Sequence, residues 1–258
     1  MARVDLNCDA GEGFGPWRMG DDEALLDVVS TVNVACGLHA GDPLIMARMV
    51  RAARERGVGV GAHPGPYDLW GFGRRDVSRE PVGDLATLVA YQVGALQAIA
   101  AQEGTRVTSV KLHGSLSNRA AVDAPLAEAV ARTIRSVDAS LIWLVPAGSA
   151  MAGAAERSGL RWASEVFADR AYESDGTLVS RSVPGAVITD PRACANRAVW
   201  LVTEGGIESV GGKRIALRAD SVCVHGDSPR AVEAARAVRA ALEKAGVEIV
   251  PLTELVAS

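Results

Sequence analysis

The 258-residue chain reads as an α/β protein, a parallel barrel in a single domain over residues 1–258. Three observations predict it. Expected strands and helices alternate with short connections, which builds a parallel sheet, either closed or doubly wound. Several strands carry small or polar residues on one face, whereas a doubly wound sheet lies under helices on both faces and needs both apolar. All four histidines, His39, His63, His113 and His225, fall at or just beyond the carboxyl end of an expected strand. That is the end at which parallel α/β folds assemble their sites.

The first strand alternates Val4, Leu6 and Cys8 with Asp5, Asn7 and Asp9 and runs into Ala10-Gly11-Glu12. The period of two defines the strand. Its polar face needs partners if it looks inward, since unpaired burial of such groups costs roughly several kcal/mol. The expected partners are the strand-end histidines, Lys111 and Glu165. Asp21-Asp22-Glu23 opens a short helix with acid in its first turn. Thr31–Cys36 is the second strand. Asp42-Pro43 starts a helix, Asp as cap and Pro at the first helical position, which stops at Gly57. Val58–Ala62 is the third strand, followed by a polar loop, Pro64–Arg79. A long helix from Val82 to Glu103 ends at Gly104. Strands are expected near Val107–Leu112, Leu141–Val145 and Trp162–Val166, with helices near 123–136 and 147–158. A second loop spans Ala168–Pro184, and Asp190-Pro191 caps a helix. Ile207–Leu217 reads as a hairpin around Gly211-Gly212. Ser221–His225 is a strand, Ser228-Pro229 caps the last long helix, and Val247–Val250 adds a terminal strand.

Composition narrows the function classes. The chain is 48% hydrophobic and 22% charged, an ordinary globular mixture. A net charge of −4 gives no electrostatic case for nucleic acid, and no basic helix suggests a membrane surface. No apolar run is expected to span a membrane, which takes about 20 residues. The N-terminus enters a strand at once, so export is not expected. Cys8, Cys36, Cys194 and Cys223 lack metal-type spacing and read as reduced core thiols of a cytoplasmic protein. There is no GxxxxGK[ST] phosphate loop, no GxGxxG and no GxSxG nucleophile elbow.

The polar residues converge on one rim. By parity His63 shares a face with Gly59 and Gly61, His113 with Lys111 and Ser109, and His225 with Cys223 and Ser221. These are the small or polar companions of a lumen that holds a ligand. Asn7, Asp9 and Glu12 reach the same end, as do Glu165 and Asp227. Lys111 inside a strand is costly unless it is paired or does chemistry. Gly71-Phe72-Gly73-Arg74-Arg75 sets two guanidinium groups between and beside glycines, suited to a carboxylate or phosphate or, equally, to a solvated turn. The second loop holds Asp169, Arg170, Tyr172, Asp175 and Arg181, which fit substrate contact or an internal ion-pair network.

These residues resemble a known family. Leu6-Asn7-Cys8-Asp9-x-Gly11-Glu12, Cys36-Gly37-x-His39-Ala40-Gly41-Asp42, Gly61-Ala62-His63-Pro64-Gly65, Gly71-Phe72-Gly73-Arg74-Arg75, Glu165-Val166-Phe167-Ala168-Asp169-Arg170, Asp175-Gly176-Thr177-Leu178 and Val224-His225-Gly226-Asp227 are together similar to the LamB/YcsF family, over about residues 2–250. The resemblance implies a distorted (β/α)7 TIM-like barrel related in shape to glycoside hydrolases and sugar deacetylases. It implies ATP-coupled cleavage of the lactam 5-oxo-L-proline to L-glutamate by a 5-oxoprolinase, with this chain as one component working with subunits B and C. One stretch departs from the family pattern Lys-Pro-His-Gly-Ala-Leu-Tyr-Asn. Lys111-Leu112-His113-Gly114-Ser115-Leu116-Ser117-Asn118 keeps the Lys and His but lacks the Pro and the Tyr, which widens the expected pocket.

The expected catalytic set is Asp9, Glu12, His39, Lys111, His113 and Glu165. The expected substrate-binding set is Asn7, Arg74, Arg75, Arg170, His225 and Asp227. ATP is the expected co-substrate of the complex, and a divalent metal on Asp9, His63 and His113 is a second expectation. Two other classes stay open. A metal-dependent carbohydrate or N-acetyl deacetylase would use the same barrel without ATP or partners. A non-catalytic lactam-binding protein of the complex would keep the carboxylate clamp and tolerate loss of Lys111 and His113.

Overall fold

The computed structural model describes residues 2–228 and 230–256. Its elements are β1 (Arg3–Ala10), α1 (Asp22–Leu26), β2 (Thr31–Ala35), α2 (Pro43–Arg56), β3 (Gly59–His63), α3 (Val82–Gln102), β4 (Val107–Lys111), α4 (Gly114–Val122), α5 (Ala124–Val137), β5 (Ile142–Pro146), α6 (Ala150–Ser158), β6 (Arg161–Phe167), α7 (Pro191–Thr203), β7 (Gly206–Glu208), β8 (Arg214–Ala216), β9 (Ser221–Val224), α8 (Ala231–Lys244), β10 (Glu248–Ile249) and α9 (Leu252–Leu255).

Strands β1 to β6 and β9 pair in parallel, and β9 returns to β1, closing a seven-stranded barrel. This is the expected α/β barrel. The short β10 pairs with the opening residues of β1, Arg3 and Val4, before β9 takes over at Asp5. β7 and β8 form the expected antiparallel hairpin outside the barrel. The core fills the shell between strands and helices. Leu6, Val32, Val34, Val110, Val166 and Val222 point outward against Met49, Val50, Val89, Leu96, Leu126 and Val238. Each fully buried aliphatic chain of this kind contributes about 1.5–3 kcal/mol.

The caps explain the helix starts. Asp42 accepts hydrogen bonds from the Leu44 and Ile45 amides, and Gly57, in the left-handed region at φ 68°, ends α2. Asp123 and Asp190 cap α5 and α7 in the same way. Two expectations change, and a third lies partly outside the described residues. A helix that the sequence reading lacks, α4, begins directly after His113, with no side-chain cap to announce it. The helix expected from residue 147 begins at Ala150, because Gly148 holds φ at 76°. The cap expected at Ser228-Pro229 includes Pro229, outside the described residues; α8 starts at Ala231, capped by Arg230 without a side-chain bond. The membrane expectation needs one qualification. α3 has 21 residues and is apolar enough by length and composition to cross a bilayer. It is a barrel helix here, burying Leu85, Val89, Val93 and Leu96 and packing against α2 and α5.

The polar face of β1 looks into the lumen, as its alternation requires. Asp5 lies lowest and is fully buried. It meets none of the expected partners within hydrogen-bond reach. Its carboxylate accepts instead from Ser30 Oγ at 2.7 Å, Thr31 Oγ1 at 2.6 Å and Ser221 Oγ at 2.5 Å. The register causes this, since Asp5 stands opposite Ser221 on β9. Burial pushes the Asp5 carboxyl up, and the three hydroxyls work against that shift. Asp5 is therefore a structural tie at the base of the barrel. Asp5→Ala leaves buried hydroxyls without an acceptor and should lower stability by about 2–4 kcal/mol, read as an earlier urea midpoint.

Candidate functional site

One layer higher, β1, β2, β4, β6 and β9 supply a charge cluster. Asn7 donates to Ser221 Oγ at 2.7 Å and to Glu165 Oε1 at 3.1 Å, and accepts from Asn33 Nδ2 at 2.8 Å. Asn33 also donates to Asp9 Oδ1 at 3.1 Å. Lys111 Nζ donates to both Asp9 oxygens, at 2.8 and 3.1 Å, and to Cys223 Sγ at 3.1 Å, and stands 3.0 Å from Glu165 Oε1. All these side chains are at least nine-tenths buried. Burial works against the Lys111 charge, but Asp9 and Glu165 outweigh it and hold its pKa well above the ordinary value. Burial would raise the Asp9 carboxyl; the basic groups around it, His63 and then Lys111, hold it well below the usual carboxylate range. Glu165 goes the other way. Burial raises its carboxyl, with Lys111 only partly opposing, and Oε2 has no hydrogen-bond partner among the described residues.

Three histidines gather beside this cluster. His63 Nδ1 lies 2.8 Å from the Lys111 carbonyl, His113 Nε2 lies 2.8 Å from the Phe72 carbonyl, and His63 Nε2 faces His113 Nδ1 at 3.0 Å. The His39 ring stacks on His113, centroids 3.7 Å apart. Glu12 Oε1 stands 3.6 Å from His39 Nε2 and 3.5 Å from His113 Nδ1. One ligand-type atom from each of Glu12, His39, His63 and His113 lies within 4.8 Å of all the others. Burial pushes the Glu12 carboxyl up to about 7 and brings His39 and His113 down to about 3 each. The packing requires Gly73, held at φ 63°, where a Cβ would come within 2.7 Å of His113 Cδ2.

The fourth histidine stands apart. His225 Nδ1 lies 2.8 Å from Asp169 Oδ2, and its backbone amide donates to the same oxygen at 3.1 Å. Burial would raise the Asp169 carboxyl, but His225 outweighs it and the pKa falls. The rim carries arginines. Arg74 Nη2 donates to Asp227 Oδ2 at 2.5 Å, and Arg181 stands 3.8 Å from the same oxygen. Arg170, brought down to about 10 by burial, donates to the Val179 and Ala186 carbonyls. It holds the second loop in place while also lining the cavity.

These groups surround a cavity of about 730 Å³ at the carboxyl end of the barrel. Of the residues expected from sequence, Asp9, Glu12, His63, Lys111, His113, Glu165, Arg74, Arg170, His225 and Asp227 line it. Three do not. Asn7 lies beneath the floor as a strut for Glu165, and His39 is packed behind His113 at 1% exposure. Arg75 turns out to solvent and pairs with Asp68 at 3.4 Å. Asn33 was not anticipated; its signal is its place two residues after Thr31 on the inward face of β2.

A family model described as the LamB/YcsF family matches residues 4–257. The chain is 55% identical over 251 residues to a Bradyrhizobium diazoefficiens protein named as a 5-oxoprolinase A subunit, the second of that name, covering 97% of this chain and 98% of that one. It is similar in structure to the lactam utilization protein of Thermus thermophilus, with TM-score 0.90, 44% identity, and coverage of 96% and 99%. A putative cellobiose-phosphate cleavage protein of Enterococcus faecalis shares the fold at TM-score 0.54 and 12% identity, over 99% of each chain.

Proposed function

The chain belongs to the LamB/YcsF family, and from that premise we propose that it is the A subunit of 5-oxoprolinase, a hydrolase that opens the cyclic amide of 5-oxo-L-proline to L-glutamate. One observation carries the reading. A buried Lys111 ammonium, flanked by Asp9 and Glu165, faces the cavity of a chain 55% identical to a protein so named.

Opening a lactam needs stabilisation of the carbonyl oxygen as it gains charge, a water stripped of a proton, and a proton for the departing nitrogen. Lys111 supplies fixed positive charge in a site where burial strengthens it. Glu165 takes the proton from water. Its raised pKa makes it the stronger base of the two carboxylates, and its buried Oε2 has no hydrogen-bond partner among the described residues. Asp9, held low by its neighbours, keeps Lys111 charged and aimed. His225, oriented by Asp169 through Nδ1, keeps Nε2 for the departing nitrogen, as a carboxylate orients an imidazole in acyl-transfer sites. Arg74, with Arg181 beside it, takes the substrate carboxylate. Arg74→Ala should raise KM about tenfold or more and leave kcat little changed, the signature of lost uniform binding, read in initial-rate kinetics.

Leu112 and Ser117 both line the cavity, so the departures from the family pattern bear on the pocket wall rather than on the charge cluster. Ring closure of glutamate is easy, which is why ATP coupling belongs with this chemistry. In this reading ATP is consumed by a multi-subunit assembly of this chain with subunits B and C, working in the cytoplasm, in keeping with its free, buried thiols.

Glutamate release from 5-oxoproline by the purified chain, with and without ATP and partner subunits, tests the reading. Release that requires both supports it. Release by the chain alone without ATP points to a deacetylase-type hydrolase. Lactam binding with full complex activity after Lys111→Met points to a non-catalytic, lactam-binding role.

A further inference from the structure

We propose that Glu12, His39, His63 and His113 form a binding site for one divalent transition-metal ion, zinc in the first place, at the edge of the cavity. The proposal concerns ligation alone and does not depend on which lactam the chain opens.

Two independent features of the cluster ask for a cation. The first is His39. Its ring is 1% exposed, yet neither ring nitrogen has a hydrogen-bond partner among the described residues. A buried imidazole with both nitrogens unpaired is costly, and such groups call for an explanation, an unseen ion among them. The second is the meeting of His63 and His113. A backbone carbonyl can only accept, so the Lys111 carbonyl fixes the proton of His63 on Nδ1. The Phe72 carbonyl fixes that of His113 on Nε2. In the neutral rings the two remaining nitrogens then point lone pairs at each other across 3.0 Å. A metal ion accepts both lone pairs at once.

The surroundings of His63, His113 and Glu12 fit as they stand. His39, stacked parallel to His113, must turn its ring out of the stack, since two parallel rings cannot aim their lone pairs at one ion. A histidine that ligates metal usually donates its other ring N–H to a backbone carbonyl or carboxylate, and both His63 and His113 do so. Zinc takes histidine nitrogen at about 2.0–2.1 Å and carboxylate oxygen at about 2.0–2.2 Å in a tetrahedron, which sets ligand atoms about 3.3 Å apart. The measured separations of 3.0, 3.5 and 3.6 Å straddle that value. Three imidazoles and one carboxylate also form a donor set suited to zinc. When bound, such an ion would supply a Lewis acid beside the cavity.

This set differs from the one the sequence suggests, Asp9 with His63 and His113. Asp9 Oδ2 does approach His63 Nε2, at 3.5 Å. Both Asp9 oxygens, however, already accept from Lys111, so a dication there would stand against an ammonium. A second group with metal-like spacing, Asp9, Cys223 and His225, is filled in the same way: Lys111 Nζ is within 3.1 Å of both Asp9 and Cys223.

The test uses the full chain without a polyhistidine tag, stripped with chelator and then equilibrated with Zn²⁺ or Co²⁺. Metal per chain is measured by mass spectrometry after desalting, and Co²⁺ geometry by visible absorption. The expected result is one ion per chain with a tetrahedral Co²⁺ spectrum. Affinity should fall about 100-fold or more in His39→Phe, which preserves the stacked ring, and in Glu12→Gln; even supporting residues are worth about 10–100-fold. Asp9→Asn should stay within a few-fold of wild type. Folded wild-type protein, verified by circular dichroism, that holds no metal overturns the proposal, as does retention in both His39→Phe and Glu12→Gln with loss in Asp9→Asn. Should His39→Phe fail to fold, Glu12→Gln gives the same reading. Metal content is read without turnover, so its failure leaves the lactam reading standing.

Discussion

Lys111→Met should slow lactam opening by orders of magnitude and destabilise the chain by about 3–5 kcal/mol, the usual penalty for leaving one half of a buried ion pair behind. Lys111 touches Asp9 through two hydrogen bonds and stands 3.0 Å from Glu165. Methionine fills much of the same volume but leaves Asp9 buried without its ammonium. The catalytic loss should reach about 10²–10³ in kcat, as for other buried groups that stabilise a developing oxyanion. Glutamate release and urea unfolding check the two effects separately. The stability loss should depend on pH with a definite sign. The folded pKa of Asp9 lies below its unfolded value, so its contribution is complete above about pH 4, the unfolded carboxyl pKa, and is lost as pH falls through the folded value. The wild type and Lys111→Met should therefore differ most near neutrality and converge in acid. Adding Asp9→Asn to Lys111→Met should recover stability without recovering turnover. A folded Lys111→Met that keeps wild-type kcat would remove lysine from the mechanism.

Glu165→Gln should lower kcat by about 10²–10⁴, the range for loss of a general base, with KM little altered. Glutamine keeps the shape and retains an acceptor for Asn7 and Lys111. Burial raises the Glu165 pKa above 4.5, and in the proposed role the base is its ionised form. Wild-type kcat/KM should therefore rise with pH through an apparent pKa above 4.5 and level off, and the variant should lack that limb. Stability moves in the opposite sense. A carboxyl whose folded pKa is raised holds its proton more tightly when folded, so ionisation costs stability as pH climbs from the unfolded toward the folded value. Glu165→Gln should accordingly compare better with wild type at neutral pH than in acid. An unchanged acid limb in the variant would assign the limb to another group.

The barrel was legible because its strands alternate so plainly. Val4, Leu6 and Cys8 face the helices, and Asp5, Asn7 and Asp9 face the lumen, as period two demands. The strand-end position of the histidines likewise brought the residues to the right end of the barrel. Depth was not legible. Period two gives the face of a residue but not its layer, and layer is what separates Asp5, tied to hydroxyls at the base, from Asp9, tied to Lys111. Nor could parity be carried through the Gly71–Arg75 turn, where Phe72 and Gly73 take φ of 54° and 63°. Two left-handed residues reverse the chain, so that Arg74 reaches Asp227 over the cavity while Arg75 turns outward to Asp68. His225 was expected to join the other three histidines. It pairs instead with Asp169, which the second loop brings in from just beyond β6.

The segment between β3 and α3 supplies more to the site than its two arginines. The Pro64 carbonyl accepts from the His113 amide, the Phe72 carbonyl from the His113 ring, and the Gly73 carbonyl from both the amide and hydroxyl of Ser115. Loops usually absorb insertions and deletions because nothing depends on their exact length. In a loop of that kind an added residue alters only the surface. Between His63 and Gly73 the same addition would shift the carbonyl that fixes the His113 tautomer. This stretch is irregular in backbone shape, yet its length is constrained like that of a strand.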